Sequence, residues 1–345
     1  MEINKIYQGN NLDTLKTFEN ESIDCCITSP PYYGLRDYGT GKWVGGDANC
    51  NHIIEHSRVN SVCGVGTHSK MESENIPVGS TIIKTVCPKC GAVREDEQIG
   101  LETTPEEYIE NLVTIFQEVR RVLKTDGILW VNIGDTYYGS GGGRGTDYHD
   151  VRTNVVQSGN KGFNDMKYAP VLRGHSELKN KDLMGIPWML AFALRKDGWY
   201  LRQDIIWAKP NPMPESVKDR CTKSHEYIFM LTKSDHYYFN HDAIQEQVYP
   251  DDIYNDERRN KRDVWAVRPS HYKGAHFATF PEELVYPMLV AGCPKDGVVL
   301  DPFMGSGTVG VVAKKNHRNY VGCELNSEYV SIAERRISNT TTKLF

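Results

Sequence analysis

Ile23 to Thr28 (IDCCIT) is a short apolar run with β-branched ends, the pattern of a strand buried on both faces. It stops at Ser29-Pro30-Pro31, where two prolines cannot donate to a ladder. The next apolar pattern is helical: Tyr108, Leu112, Ile115, Val119 and Val122 recur every third or fourth position. Thr104 is placed to cap that helix, Pro105 suits its first position and Glu107 completes a capping box. Lys124, Asp126 and Gly127 end it, and Ile128 to Ile133 (ILWVNI) reads as a further buried strand. Ile205-Ile206-Trp207 and Tyr227 to Leu231 are two more short strands. Val298-Val299-Leu300 leads into DPFMGSGT (Asp301 to Thr308), then an apolar helix over Thr308 to Lys315 and a strand over Asn319 to Leu325. Strands alternating with helices predict an α/β protein built on a doubly wound, mostly parallel, Rossmann-like sheet.

Two stretches break the alternation. From about Gly39 to Gly100 the chain is polar and turn-rich and holds four of the nine cysteines, so it reads as an insertion. Gly139 to about Asn180 is a long Gly- and Asn-rich loop; its GSGGGRG lacks the lysine of a phosphate-binding loop and reads as a flexible connection. The 345 residues, 39% hydrophobic and 25% charged, suffice for a large core and fit a soluble globular class. No run of about 18 apolar residues predicts a membrane helix, and MEINKIYQGNNLDTL lacks the design of a secretory signal. A net charge of −5 excludes a globally basic nucleic-acid binder, so contact with DNA or RNA falls to a local patch. Cysteines number nine, and Cys25, Cys26 and Cys323 sit in apolar runs. That is the usage of a cytoplasmic protein with free buried thiols and a metal site, not of a disulfide scaffold.

DPFMGSGT stands between a strand and a helix, where glycines let the backbone turn tightly and approach a ligand, and the helix start offers free N–H donors. Glu324 follows about twenty residues on, at the end of the next strand, placed to hold the two hydroxyls of a ribose. The loop is not GxGxxG and no phosphate-loop lysine follows, which disfavours NAD and ATP but leaves other adenosine cofactors open, beside the plainer reading of a tight turn. At the carboxyl end of the first strand, Thr28 to Tyr33 (TSPPYY) offers backbone acceptors fixed by proline, the Ser29 hydroxyl and the flat ring of Tyr32. Together these suit a planar heterocycle with an exocyclic amine; a rigid turn with a surface tyrosine is the plain alternative.

TSPPYYGLRDYG and DPFMGSGT, in that order, resemble the signature pair of the exocyclic-amino DNA methyltransferases of the β class, in which the catalytic motif precedes the S-adenosylmethionine motif in a circularly permuted order. YQGNNLDTL from Tyr7, GWYLRQDIIWAKPNPMPES from Gly198, KSHEYIFMLTKS from Lys223 and HFATFPEELVYPML from His276 extend the likeness over most of the chain outside the two insertions. The resemblance implies that Ser29, Pro30, Pro31 and Tyr32 form the catalytic corner. It assigns the cofactor to Thr28, Phe280, Asp301, Pro302, Phe303, Gly305, Ser306, Gly307, Thr308 and Glu324. The family's opening segment reads Gly-Asp where this chain has Gly9-Asn10, so Asn10 or Asp13 stands in for that acidic contact. A serine at the head of the corner leans toward N4 of cytosine, an aspartate toward N6 of adenine. Methylation at C5 calls for a cysteine after a proline, whereas Cys87 and Cys293 precede theirs. The setting implied is the cytoplasm of a prokaryote, or a phage-encoded product, with duplex DNA as substrate and a cognate restriction endonuclease as the candidate protein partner, the enzyme acting as monomer or homodimer.

Cys50-x-His52 and Cys87-x-x-Cys90 provide four ligands for a structural zinc ion, with Cys63, His56 and His68 as alternatives, and such a staple is what a polar insertion with little apolar content needs. Arg258, Arg259, Lys261, Arg262, Arg268, His271 and Lys273, interleaved with Trp265 and Tyr272, form the one basic stretch; with Arg36 they are the candidates for phosphate contact. The expected organisation is a catalytic domain over 1–39 and 101–345, a zinc-ribbon-like insertion over 40–100, the 139–180 loop, and part of the target-recognition region over 240–275. Two rival functions differ in what they leave unexplained. A protein or small-molecule methyltransferase needs neither the SPPY corner nor the basic stretch, and a non-enzymatic zinc-ribbon DNA binder has no use for DPFMGSGT with Glu324.

Overall fold

The computed structural model describes residues 1–35, 38–52, 86–138, 177–248, 258–269 and 280–342, and the backbone of 55–58 and 81–84. In chain order, the first elements are β1 (Lys5–Gln8), α1 (Asn11–Lys16), β2 (Ile23–Thr28), β3 (Lys42–Val44), β4 (Glu55–Arg58), β5 (Thr81–Lys84) and β6 (Val93–Glu95). Then come α2 (Pro105–Val122), β7 (Leu123–Ile133), α3 (Ile186–Lys196), β8 (Tyr200–Ala208), β9 (His225–Thr232), β10 (Glu246–Gln247), β11 (Arg258–Arg259) and β12 (Val264–Ala266). The last are α4 (Glu282–Gly292), β13 (Val298–Asp301), α5 (Thr308–Lys315), β14 (Asn319–Glu324) and α6 (Ser327–Ser338). The described chain divides into two compact units, one of 1–30, 109–134 and 187–345, the other of 31–108 and 135–186.

The first unit is built on an eight-stranded sheet in the order β1-β14-β13-β2-β7-β9-β8-β12. Only β9 runs against its neighbours, β7 and β8; the other pairs are parallel. The sheet is therefore α/β and mostly parallel, as the sequence predicts. β2 leads through α2 to β7 on one side, while β13 leads through α5 to β14 on the other. Chain direction across the sheet thus reverses between the adjacent strands β2 and β13, which makes their carboxyl ends the switch point where open α/β sheets bind ligands.

Residue chemistry explains the central position of β2. Ile23, Cys25, Cys26 and Ile27 are fully buried, which suits a strand covered on both faces. Leu284, Val285, Met288 and Leu289 of α4 join Cys25, Ile27, Ile128 and Trp130 in one core cluster. Gly292 makes the closest approach possible there, since a Cβ would lie 2.7 Å from the Trp130 indole nitrogen. α2 begins as expected: the Glu107 amide donates to Thr104 Oγ1 at 3.2 Å, although the Glu107 carboxylate reaches back to the Thr103 amide and not to that of Thr104.

Several boundaries differ from the sequence reading. The helix ends at Val122, not at Lys124 to Gly127, because Leu123 already pairs with Ile23 and draws the backbone into β7 five residues before Ile128. β8 and β9 extend beyond their apolar centres because antiparallel pairing continues through polar positions such as Gln203 and Glu226. Two short elements near the chain start, β1 and α1, carry too little apolar patterning to be read from sequence, whereas α6 buries Tyr329, Val330, Ala333 and Ile337 at helical spacing that the sequence reading passed over.

The second unit contains two small antiparallel ribbons, β3 with β6 and β4 with β5. The Arg94 guanidinium pairs with Asp96 at 2.8 Å, and Asp96 also accepts from Thr40 at 2.7 Å, which closes the β3–β6 ribbon with polar contacts in place of a core. Among the described residues no helix is long and apolar enough to cross a membrane. Most of the 139–180 loop lies outside the described residues, as do Arg36, Cys63, His68, His271, Tyr272 and Lys273, while the side chain of His56 is not described.

Candidate active site

At the switch point the two signature motifs meet. Thr28, the last residue of β2, is fully buried and donates its hydroxyl to Asp301 Oδ1 at 2.7 Å. Asp301, the last residue of β13, also accepts the Phe303 amide on Oδ1 at 3.1 Å. Its Oδ2 is buried with no hydrogen-bond partner among the described residues. Burial, first, and the nearby Glu324 carboxylate push the Asp301 carboxyl up to about 7. A buried carboxylate with one oxygen unspent is a receptor for a cationic donor, because leaving it without one costs the full desolvation of that atom.

The loop between β13 and α5 is shaped by its glycines. Gly305 and Gly307 have φ of 50° and 82°, a region that favours residues without a Cβ, and a Cβ on Gly307 would stand 2.8 Å from that of Ala333. The Gly305 amide donates to Glu324 Oε2 at 2.8 Å, and Oε1 of the same carboxylate takes the Asn326 amide at 2.8 Å. Glu324 is thereby fixed at the end of β14; burial raises its pKa while these amides pull it down. The Leu325 amide bonds it as well, and the carboxylate keeps acceptor capacity for a ribose hydroxyl. An unfilled buried carboxylate oxygen, a glycine turn at a helix start and a second, backbone-held carboxylate fit the ammonium, backbone and ribose of S-adenosylmethionine.

Other residues implied by the resemblance have mixed placements. Pro302 is buried, and its carbonyl accepts from Asn11 Nδ2 at 3.1 Å. Ser306 and Thr308 are buried, but Arg336 of α6 occupies the Ser306 carbonyl at 2.6 Å and hydroxyl at 2.7 Å and reaches Thr308 Oγ1 at 3.4 Å. Their side chains therefore hold the loop to α6. Phe303 is half-buried, and half-buried Phe280 packs against the core cluster. Asn10 caps α1, its Oδ1 accepting the Leu12 amide at 2.9 Å and the Asp13 amide at 3.4 Å, whereas Asp13 is exposed and 3.8 Å from Lys16. Asn10 thus works as a helix cap. Neither Asn11 nor Arg336 has a sequence signal; they act through the shape of the loop alone.

Ser29 is half-buried and Pro30 buried; the Ser29 hydroxyl lies 3.3 Å from Asn132 Oδ1. In the second unit the Tyr108 hydroxyl donates to the Pro31 carbonyl at 2.8 Å, and Tyr33 is buried 5.3 Å from the Tyr108 ring while Tyr32 stays partly exposed. The same unit brings Cys50, His52, Cys87 and Cys90 together, their ligand atoms all within 4.8 Å of one another. Cys50 Sγ is 4.0 Å from Cys87 Sγ, Cys90 Sγ is 3.3 Å from His52 Nδ1, and the His52 ring stacks on Trp43. A tetrahedral zinc ion with Zn–S bonds of about 2.3 Å would set two sulfurs about 3.8 Å apart, so the donor set fits that ion.

Within the described residues the basic stretch is partly neutralised. Glu246 accepts from Arg259 at 3.1 Å and from Arg262 at 2.6 Å. Trp265 is buried, donating to the Arg262 carbonyl at 2.7 Å with the Lys261 ammonium 5.1 Å from its ring, so it serves the core instead of the DNA face expected of it. Arg258 and Arg268 are exposed.

The family described as DNA methylase matches residues 23–335. The Type II methyltransferase M.Cfr9I of Citrobacter freundii is 42% identical over 340 residues, covering 98% of this chain and 89% of that one. The Type II methyltransferase M.SmaI of Serratia marcescens is 40% identical, covering 96% and 90%. Among solved structures, the PvuII DNA methyltransferase (cytosine-N4-specific) matches with a TM-score of 0.57 at 16% identity, covering 99% of this chain and 92% of that one. The Thermus thermophilus protein TTHA0409, complexed with S-adenosyl-L-methionine, matches with a TM-score of 0.53 at 17% identity, covering 97% and 93%.

Proposed function

Since the chain belongs to the DNA methylase family of the N6/N4 type, we propose that it methylates the exocyclic amine of a base flipped out of duplex DNA, cytosine N4 in preference to adenine N6, with S-adenosylmethionine as donor. The observation that carries this reading is the hydrogen bond from Thr28 to Asp301, which ties the residue before Ser29 to the head of the glycine loop. Donor and acceptor of the methyl group are thereby served by adjacent strand ends.

Asp301 Oδ2 receives the ammonium of the cofactor's methionine, Glu324 its ribose hydroxyls, and Gly305 and Gly307 let the backbone come close, with Phe280 and Phe303 beside it. When bound, the cofactor supplies an electrophilic methyl whose bonding pair stays with sulfur as the amine nitrogen takes the carbon. Ser29 Oγ and the Pro30 carbonyl accept the two N–H bonds of the amine, which draws its lone pair out of the ring and onto nitrogen for in-line attack. Fixing this geometry supplies much of the rate, and the surplus proton passes to water. The target base is out of reach within a duplex, so it leaves the stack and rests on Tyr32. The serine at the head of the corner is what favours cytosine.

Cys50, His52, Cys87 and Cys90 hold a structural zinc ion that folds the insertion. Arg258, Lys261 and Arg268, with Arg36 and Lys273, neutralise phosphates, and a cognate restriction endonuclease is the expected protein partner. The test is nucleoside mass spectrometry of unmethylated DNA incubated with protein and S-adenosylmethionine. N4-methylcytosine is expected; N6-methyladenine would overturn the choice of base, and no methylated base on DNA of wide sequence coverage would overturn the substrate.

A further inference from the structure

Behind Ser29 runs a polar chain that the methyl-transfer chemistry above does not use. Asn132 lies in β7 among apolar residues and is 1% exposed. Its Nδ2 donates to the Tyr227 carbonyl at 3.1 Å and to Glu226 Oε2 at 3.3 Å, and its Oδ1 faces Ser29 Oγ at 3.3 Å. The other Glu226 oxygen takes the Lys209 ammonium, which sits 4.4 Å from the centroid of the Trp207 ring. Two oxygens around Nδ2 fix the sense of the amide, because a flipped Asn132 would set its carbonyl against a carbonyl and a carboxylate. Its oxygen must then face Ser29. Between two oxygens only the serine hydroxyl can donate, so the Ser29 proton is spent on Asn132 and its lone pairs are left for another partner.

We infer that Asn132, pinned by Tyr227 and by the Glu226–Lys209 pair, is a positioning residue that makes Ser29 a pure hydrogen-bond acceptor toward the target amine. The inference rests on the reading of Ser29 given under Proposed function. A hydroxyl free to rotate can also donate to the amine nitrogen, and in doing so it occupies the lone pair that must attack. An aspartate at the head of the corner would be acceptor-only without help once ionised; a serine needs this second residue.

The test compares steady-state methylation of unmethylated DNA by the whole protein, by Asn132→Ala, by Ser29→Ala and by the double variant. Asn132→Ala should lose about a hundredfold in kcat, with KM for both substrates within about twofold of the parent. In the Ser29→Ala background the same change should cost nothing further. Equal losses in both backgrounds would overturn the inference and leave Asn132 a structural residue. Full turnover by Ser29→Ala would instead overturn the role of Ser29, and the inference with it. Asn132→Asp guards against a folding defect, because its acid form still donates to Glu226 and accepts from Ser29. The ionised form also accepts from Ser29, so its turnover should stay well above that of Asn132→Ala across the pH range. A loss as large as that of Asn132→Ala, in a folded protein, would overturn the inference.

Discussion

Thr28 and Asp301, 273 positions apart in the chain, share a 2.7 Å hydrogen bond that joins the end of β2 to the end of β13. The bond leaves Asp301 Oδ1 doubly occupied and Oδ2 buried without a hydrogen-bond partner among the described residues. Thr28→Val keeps the shape of the side chain and removes the donor. Losing one hydrogen bond to a charged group should cost about 1.5–3 kcal/mol, and calorimetric titration should show S-adenosylmethionine binding weakened by at least about tenfold. An unchanged Kd would show that the Thr28 hydrogen bond does not prepare Asp301 for binding.

The pH dependence of binding follows from the same carboxyl. Burial lifts Asp301 from the usual 3.8 to about 7, and an ammonium binds only the ionised form. S-adenosylmethionine affinity should therefore weaken as pH falls below about 7, and binding near pH 6 should release a proton, seen as buffer-dependent heat. Asp301→Asn should abolish both effects. For the free protein, folding favours the protonated form. The contribution of Asp301 to stability is then full below about pH 4 and is lost as the pH rises through 7, so the melting-temperature advantage of Asp301→Asn should grow across that window.

The zinc reading predicts one equivalent of zinc per chain by elemental analysis. Cys90→Ser or chelation should lower the melting temperature by roughly 5–10 °C, and cobalt exchange should give the absorption of a thiolate-rich tetrahedral site. Protein free of zinc as isolated, with unaltered stability in chelator, would dismiss it.

Salt dependence can separate the cations that touch phosphate from those already engaged. Arg258→Ala, Lys261→Ala or Arg268→Ala should each reduce the slope of log affinity against log salt by about 0.9. Arg262→Ala should change it less, because Glu246 holds that guanidinium. Glu246→Gln should raise the slope by freeing Arg259 and Arg262.

What could be read from the sequence was set by how local its cause is. β2, α2, α5 and the strand–loop–helix around Gly305 follow from apolar spacing, proline and glycine within a dozen residues, and their positions agree with that reading except at the end of α2. The ligand atoms of Cys50, His52, Cys87 and Cys90 also meet, because their spacing already suits a knuckle. Asn132 and Arg336 gave no warning: each works through partners distant in the chain, Ser29 and Glu226 for one, Ser306 for the other. Trp265 misled for the converse reason. A tryptophan among arginines looks like a stacking platform, but β12 joins the sheet edge and turns that ring inward.

The pairing of β1 with β14 sets a timetable for synthesis. Lys5 to Gln8 have no neighbour in the sheet until Asn319 to Glu324 exist, and β13, which flanks β2, is also made late. At about 5–20 residues per second, the first strand waits on the order of tens of seconds for its partner. Through that interval β2 has β7 on one side only, and its other edge stays open to stray pairing. Methyl-transfer competence therefore arrives in a single late step, when β13 and β14 close the sheet and bring Asp301 to Thr28.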